Sequence, residues 1–142
     1  MNRKRLIAQL KHDEGEVPHV YIDSEGYYTV GVGRMLDERR GGRLTHDEID
    51  YLLQNDIDRT VYRLGHEFPW FHDVSDVRQE CFINMAFNLG IRGLKNFKRM
   101  IDAAKRGDWE DAAREALDSR WATQVGNRAI RISEAMRTGE WA

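Results

Sequence analysis

A single cysteine, Cys81, stands among 142 residues, so no intramolecular disulfide can form and folding needs no oxidising compartment. Prolines number only two and no low-complexity tract occurs; with 41% hydrophobic and 32% charged residues, the composition excludes a disordered or fibrous chain. Long apolar runs are missing too. None approaches the roughly eighteen residues that span a bilayer. The basic opening Met1-Asn2-Arg3-Lys4-Arg5 is followed by just Leu6-Ile7-Ala8 before polar residues return, so no secretory signal is expected. A surplus of positive charge is likewise lacking: 22 Lys/Arg against 24 Asp/Glu give a net of −2, which argues against a dedicated nucleic-acid binder. The charge is uneven. Residues 1–90 carry 11 Lys/Arg against 16 Asp/Glu, a net of −5, and residues 91–142 carry 11 against 8, a net of +3, which hints at an anionic ligand.

What is present is enough for one self-folding domain, or two small lobes on one chain. Leu6, Ile7 and Leu10 recur at helical spacing between a capping Asn2 and a stop at Gly15, predicting a helix over residues 2–14. From Val17 to Val32, β-branched and aromatic residues flank the polar turn Asp23-Ser24-Glu25-Gly26, which predicts a β-hairpin. Loops are expected at Gly31, Gly33 and Arg39–Arg43, with a third short strand between them. After Thr45 the stripe Ile49, Leu52, Leu53, Ile57, Val61 and Leu64 predicts a helix of about twenty residues opened by a Thr45/Glu48 capping box and ending near Gly65. Further helices are expected over 76–89, 97–106, 109–118 and 127–137, closed by Gly90, Gly107, no glycine, and Gly139 in turn. The expected architecture is α+β: a small antiparallel β lobe at about 15–44, a linking helix at about 45–66, and a larger helical lobe at about 67–142 to which the first helix returns.

Two acids stand where the local structure does not demand them, Glu14 at a helix end and Asp23 entering a hairpin turn. If Asp23 faces Tyr27 across the turn, Tyr21 opposes Thr29, and the two-residue period puts Asp23 and Thr29 on one face roughly 7–8 Å apart. With Glu14 arriving from the helix side, two carboxylates flank a cleft between lobes. Glycosidic bond hydrolysis needs such a pair, one acid for the leaving oxygen and one for the opposite face of the sugar. Against it, an aspartate in a turn usually bonds its own backbone. Other signals read as structural. Gly31-Val32-Gly33 lacks the lysine and helix of a phosphate loop, and His12, His19, His46, His66 and His72 fit no metal-ligand spacing, so neither metal nor cofactor is expected. Cys81 shares an apolar face with Val77, Phe82 and Met85 and reads as a buried thiol. Trp109, Trp121 and Trp141 read as core, and Trp70 as packed beneath its loop. The segment carrying Arg128, Arg131 and Arg137 reads as a core helix whose arginines line a cleft.

The run Asp13-Glu14-Gly15 followed by Tyr21-Ile22-Asp23-Ser24-Glu25-Gly26-Tyr27-Tyr28-Thr29-Val30-Gly31-Val32-Gly33 resembles the active-site hairpin of the T-even phage lysozymes, glycoside hydrolase family 24. Further matches follow in order: Asn84-Met85-Ala86-Phe87-Asn88-Leu89-Gly90, Gly93, Phe97, Trp109-Glu110-Asp111-Ala112-Ala113, Ser119-Arg120-Trp121, Gln124, Asn127-Arg128-Ala129, Arg131, and Arg137-Thr138-Gly139-Glu140-Trp141. The resemblance spans nearly the whole chain, with an anchor motif in each lobe.

The resemblance implies a muramidase cutting the β-1,4 bond between N-acetylmuramic acid and N-acetylglucosamine of peptidoglycan with inversion, Glu14 being the general acid, Asp23 the second carboxylate, and Thr29 the hydroxyl that helps hold the attacking water. It further implies substrate contacts at Gly33, Met35, Phe87, Glu115 and Arg120, a Glu25–Arg120 contact at the cleft mouth, and support from Arg128, paired with the acid, and Arg131. An inverting site keeps its carboxyls roughly 6.5–9.5 Å apart to seat a water. The implied biology is that of a monomeric endolysin, held in the host cytoplasm until a holin-like pore former opens the membrane. Its rivals are a lytic transglycosylase, and a wall-binding or virion module that has lost turnover. Departures from the family pattern are Arg34 in place of a histidine, a shorter stretch from Met35 to Leu44, and Met100 and Glu115 at cleft positions that are small or amide-bearing in the relative.

Overall fold

The computed structural model describes residues 1–36 and 43–142. The chain divides into two compact units, Met1–Leu53 and Gln54–Ala142, with the boundary inside a helix. The first unit opens with α1 (Arg3–Glu14), whose N-terminus is capped by the Asn2 side chain accepting from the Arg5 amide at 3.0 Å. Gly15, at φ +79°, ends it and turns the chain into β1 (Val17–Ile22) within two residues. Leu6, Ile7 and Leu10 share a face of α1, yet no residue of this helix is buried.

β1 pairs antiparallel with β2 (Tyr28–Gly31), and β2 with β3 (Arg34–Met35), giving a three-stranded sheet in chain order. Tyr21 opposes Thr29 and Ile22 opposes Tyr28, the register expected from the turn; between Val17 and Tyr21 the ladder is irregular. The expected third strand is β3. Of the loop expected at Arg39–Arg43, only Arg43 falls within the described residues, and the shortened stretch from Met35 to Leu44 likewise lies largely outside them.

α2 (His46–Glu67) crosses the boundary between the units. Its expected capping box forms: the Thr45 amide donates to Glu48 Oε1 at 2.9 Å and the Glu48 amide to Thr45 Oγ1 at 3.3 Å. Of its apolar stripe only Leu64 is buried. The helix runs through Gly65 rather than stopping there, because a glycine inside a helix costs only about 1 kcal/mol and does not break it.

In the second unit, a short 3₁₀ helix (Pro69–Asp73) occupies what was expected to be a loop; proline at its first position supplies the fixed φ that starts it. α3 (Asp76–Lys95) is broken at Gly90 (φ +72°, ψ 164°), and helical turns resume beyond the expected stop. α4 (Lys98–Arg106), α5 (Trp109–Leu117), α6 (Arg120–Val125) and α7 (Asn127–Thr138) follow. The sequence pattern does not disclose α6, since six residues are too few to show a helical period. Phe71, Phe82, Leu64, Met85, Leu94, Met100, Ile132 and Met136 form the core, each contributing roughly 1.5–3 kcal/mol by burial. Ala103, Ala104, Ala112, Ala116, Ala129 and Ala135 are buried beside them, and these small side chains let α4, α5 and α7 approach closely.

Arg78 ties the end of α7 to α3. Its Nε donates to the Met136 carbonyl at 2.8 Å and an Nη to the Arg137 carbonyl at 3.1 Å, while the guanidinium stacks 4.4 Å from the Trp109 ring centroid. Trp121 is buried and donates to Asn88 Oδ1 at 2.7 Å. Trp70 packs edge-on against Phe82 at 5.4 Å, as expected. Trp141 corrects the expectation of a core residue: it is 42% exposed, with its ring nitrogen donating to Glu80 Oε2 at 2.5 Å, because it lies beyond the last helix where no apolar layer remains to cover it.

Candidate active site

Glu14 is the last residue of α1, so its side chain leaves the helix just where Gly15 redirects the chain toward the sheet. It is exposed, and within its unit its carboxylate accepts no hydrogen bond from the described residues. Asp23 is fixed by its own turn. Its Oδ1 accepts from the Glu25 amide at 2.9 Å and the Tyr27 amide at 2.8 Å, its amide donates to the Tyr27 carbonyl at 2.9 Å, and its carbonyl accepts from Gly26 at 3.1 Å. The ordinary structural role of a turn aspartate is therefore realised, but by Oδ1, and Oδ2 accepts no hydrogen bond within its unit from the described residues.

Thr29 sits at the middle of the central strand, opposite Tyr21 on one side and Met35 on the other. At 3% exposure it is the sole buried side chain among the described residues of the first unit. Its hydroxyl donates to the Tyr27 carbonyl at 3.2 Å, so Oγ1 meets any further partner as an acceptor. Gly33, in the turn between β2 and β3, has φ +60°. Arg34, where the family pattern has histidine, pairs with Glu48 at the start of α2. The capping bonds from Thr45, and after them the Arg34 charge, hold the Glu48 carboxyl below its ordinary 4.5.

Comparison with known proteins adds an independent line. The model of the phage lysozyme family matches residues 11–137. The chain belongs to the phage lysozyme family. It is 27% identical over 156 positions to a probable T4-type lysozyme 1 of Dictyostelium discoideum, covering 92% of each chain. It is 31% identical over 159 positions to the pre-baseplate central spike protein Gp5 of enterobacteria phage T4, covering 94% of this chain but 28% of that protein. A probable T4-type lysozyme 2 of Dictyostelium discoideum is 24% identical over 160 positions. The α+β architecture described above is that of a lysozyme-like fold.

Of the remaining expected site residues, Glu25 and Met35 lie in the first unit and the others in the second. Glu115 and Arg120 both line a groove of about 520 Å³, where the buried Met100 forms part of the lining with Phe97 and Trp121. Lys98, Arg99 and Asp118 also line this groove, and nothing in their spacing singles them out. Phe87 is exposed on α3 and does not line it. Arg128 is held by Asn84, its Nε and one Nη reaching Asn84 Oδ1 at 3.0 and 2.8 Å. The Asn84 and Asn88 positions of the anchor motif thus carry definite partners, Arg128 and Trp121, one helical turn apart.

Arg131 is exposed on α7. Arg137 corrects the picture of a helix whose arginines all line a cleft, for it pairs with Glu134 and, at 3.3 Å, with Glu110, because those acids lie within reach at the helix end. α7 is otherwise a core helix, burying Ala129, Ile132, Ser133, Ala135 and Met136. Cys81 is buried and its thiol is pushed up to about 12, chiefly by desolvation, which makes it inert. The five histidines are all exposed, and no cluster able to hold a metal ion occurs among the described residues.

Proposed function

We propose that the chain is a muramidase that hydrolyses the β-1,4 bond between N-acetylmuramic acid and N-acetylglucosamine of peptidoglycan with inversion. The observation that carries this reading is the hairpin register: it pairs Tyr21 with Thr29 while the turn fixes Asp23, in a unit whose first helix ends on Glu14. Glu14, as a protonated acid, delivers its proton to the leaving glycosidic oxygen. Asp23 draws a proton from the attacking water through the oxygen not engaged by its turn, and the Thr29 hydroxyl accepts a hydrogen bond from that water and so orients it. Support for Glu14 and Thr29 comes from their places at the end of a helix and the centre of a strand, and family membership supplies the chemistry they fit. No metal or cofactor enters this scheme. Glu115 and Arg120 present opposite charges to the remainder of the substrate, Met35 and Phe87 contact it, and Glu25, Arg128 and Arg131 have supporting roles.

The three site residues and the helical unit act together as one catalytic domain in a monomeric endolysin that reaches the wall after a holin-like pore former opens the membrane. No described helix is itself long and apolar enough to cross one. Glu14→Gln is expected to retain the fold and glycan binding and to lose turnover, because it removes the proton the leaving oxygen needs. Mass spectrometry of products from purified wall decides the reaction: a reducing-end muramic acid marks hydrolysis, and an anhydro product marks a lytic transglycosylase and refutes the proposal. Similarity to a protein named as a baseplate spike favours a second role, in the virion. Detection of the chain in purified particles would establish it over host lysis.

A further inference from the structure

We propose that Gly33 is a positioning residue for the Glu14 carboxyl, an inference that rests on the reading of Glu14 as the acid. A β-carbon at Gly33 would lie 2.7 Å from Glu14 Oε2 and 3.0 Å from both its Cδ and its Cβ. The contact therefore runs along the whole side chain. Rotating the carboxylate away would relieve the first distance, but the Glu14 Cβ is fixed to the end of α1 and cannot follow. The bare backbone of Gly33 is thus a flat stop against which the acid lies, and it bars the carboxylate from the space over that turn.

Gly31, at the end of β2, provides a control. Gly31 and Gly33 both have positive φ, +67° and +60°, a region in which an L side chain at either position is strained. A β-carbon at Gly31 would meet nothing within 4 Å, whereas at Gly33 it meets the acid. Left-handed geometry alone accounts for a glycine at 31. At 33 there is the further requirement that the space over the backbone be left to Glu14.

The test compares Gly33→Ala with Gly31→Ala in the full chain. A displacement of about 1 Å in a reacting group can cost on the order of 10²-fold in rate, so Gly33→Ala is expected to lower kcat by roughly 10²-fold with KM little changed, and Gly31→Ala to leave kcat near wild type. Carboxyl ¹³C NMR supplies a readout that needs no turnover: the Glu14 resonance shifts in Gly33→Ala and stays in place in Gly31→Ala. Should Gly33→Ala fail to fold, Gly33→Asn carries a β-carbon on a residue that tolerates the left-handed region, and the same shift is expected. Equal losses in the two alanine variants would assign the effect to turn strain and overturn the proposal. A raised KM with unchanged kcat would make Gly33 a glycan contact and overturn it as well, and so would an unmoved Glu14 resonance. Retained activity in Glu14→Gln would refute the acid assignment alone, while the NMR comparison would still report whether Gly33 seats that side chain.

Discussion

Ser133 lies on the buried face of α7 at 1% exposure, and its hydroxyl finds no hydrogen-bond partner among the described residues. A serine in a helix ordinarily relieves this by donating to the carbonyl four residues back, here Ala129, and that bond is not made. An unpaired buried hydroxyl costs about 1–3 kcal/mol of desolvation. Alanine also has a higher helix propensity than serine, by about 0.5 kcal/mol. The small void left by the missing oxygen offsets part of this, since dispersion contacts contribute about 0.1–0.2 kcal/mol each. Ser133→Ala is therefore expected to stabilise the protein by about 1–2 kcal/mol. For a chain of this length that is a rise of roughly 3–6 °C in Tm. Circular-dichroism melting and urea titration measure it, with the urea midpoint rising and the m-value unchanged. Activity on cell wall should not move, because the residue lies in the core. Destabilisation of about 1 kcal/mol or more would mean that the hydroxyl has a buried partner, and the reasoning would fail.

Arg78→Ala removes two hydrogen bonds to the carbonyls of Met136 and Arg137 and the stack on Trp109, and a loss of about 3 kcal/mol is expected from urea denaturation. A loss under about 1 kcal/mol would show that the last turn of α7 is held by other contacts. Arg34→His tests the Arg34–Glu48 pair. A histidine gaining a carboxylate partner has its folded pKa raised, so its contribution is present below the unfolded value of about 6.5 and disappears as pH rises through the folded value. The variant's denaturation midpoint is expected to fall between about pH 6 and 8 relative to the wild type, whose arginine stays charged; an unchanged profile would refute the pairing. On the acid side, the lowered Glu48 carboxyl contributes stability above its ordinary 4.5 that is lost as pH falls through its folded value. Glu48→Gln should remove that part of the acid limb, which a urea midpoint against pH would report.

The local devices of this chain are legible in the amino-acid sequence alone. Asn2, the Thr45/Glu48 box, Gly107 and Gly139 end or begin helices where their conformations and side-chain acceptors dictate, and each acts within three or four residues. The Tyr21–Thr29 register follows from the turn sequence, because a hairpin's pairing is fixed by its loop. The motifs around Glu14 and Asp23 likewise carry the family resemblance. Short elements escape such a reading: α6 has too few residues for a period to show, and the 3₁₀ helix at Pro69 is marked by that proline alone. Tertiary structure decides what depends on partners far along the chain. Whether Arg78 serves solvent or the carbonyls 58 and 59 positions away is settled by how α3 meets the end of α7. Arg137 turns to Glu110 rather than to a cleft, and Trp141 stays half in water, for reasons that no periodicity encodes. Gly33 is readable as a turn residue because its φ is a local property. That its missing side chain makes room for Glu14, nineteen residues earlier, depends on where α1 ends against the β2–β3 turn, and only the folded chain fixes that distance.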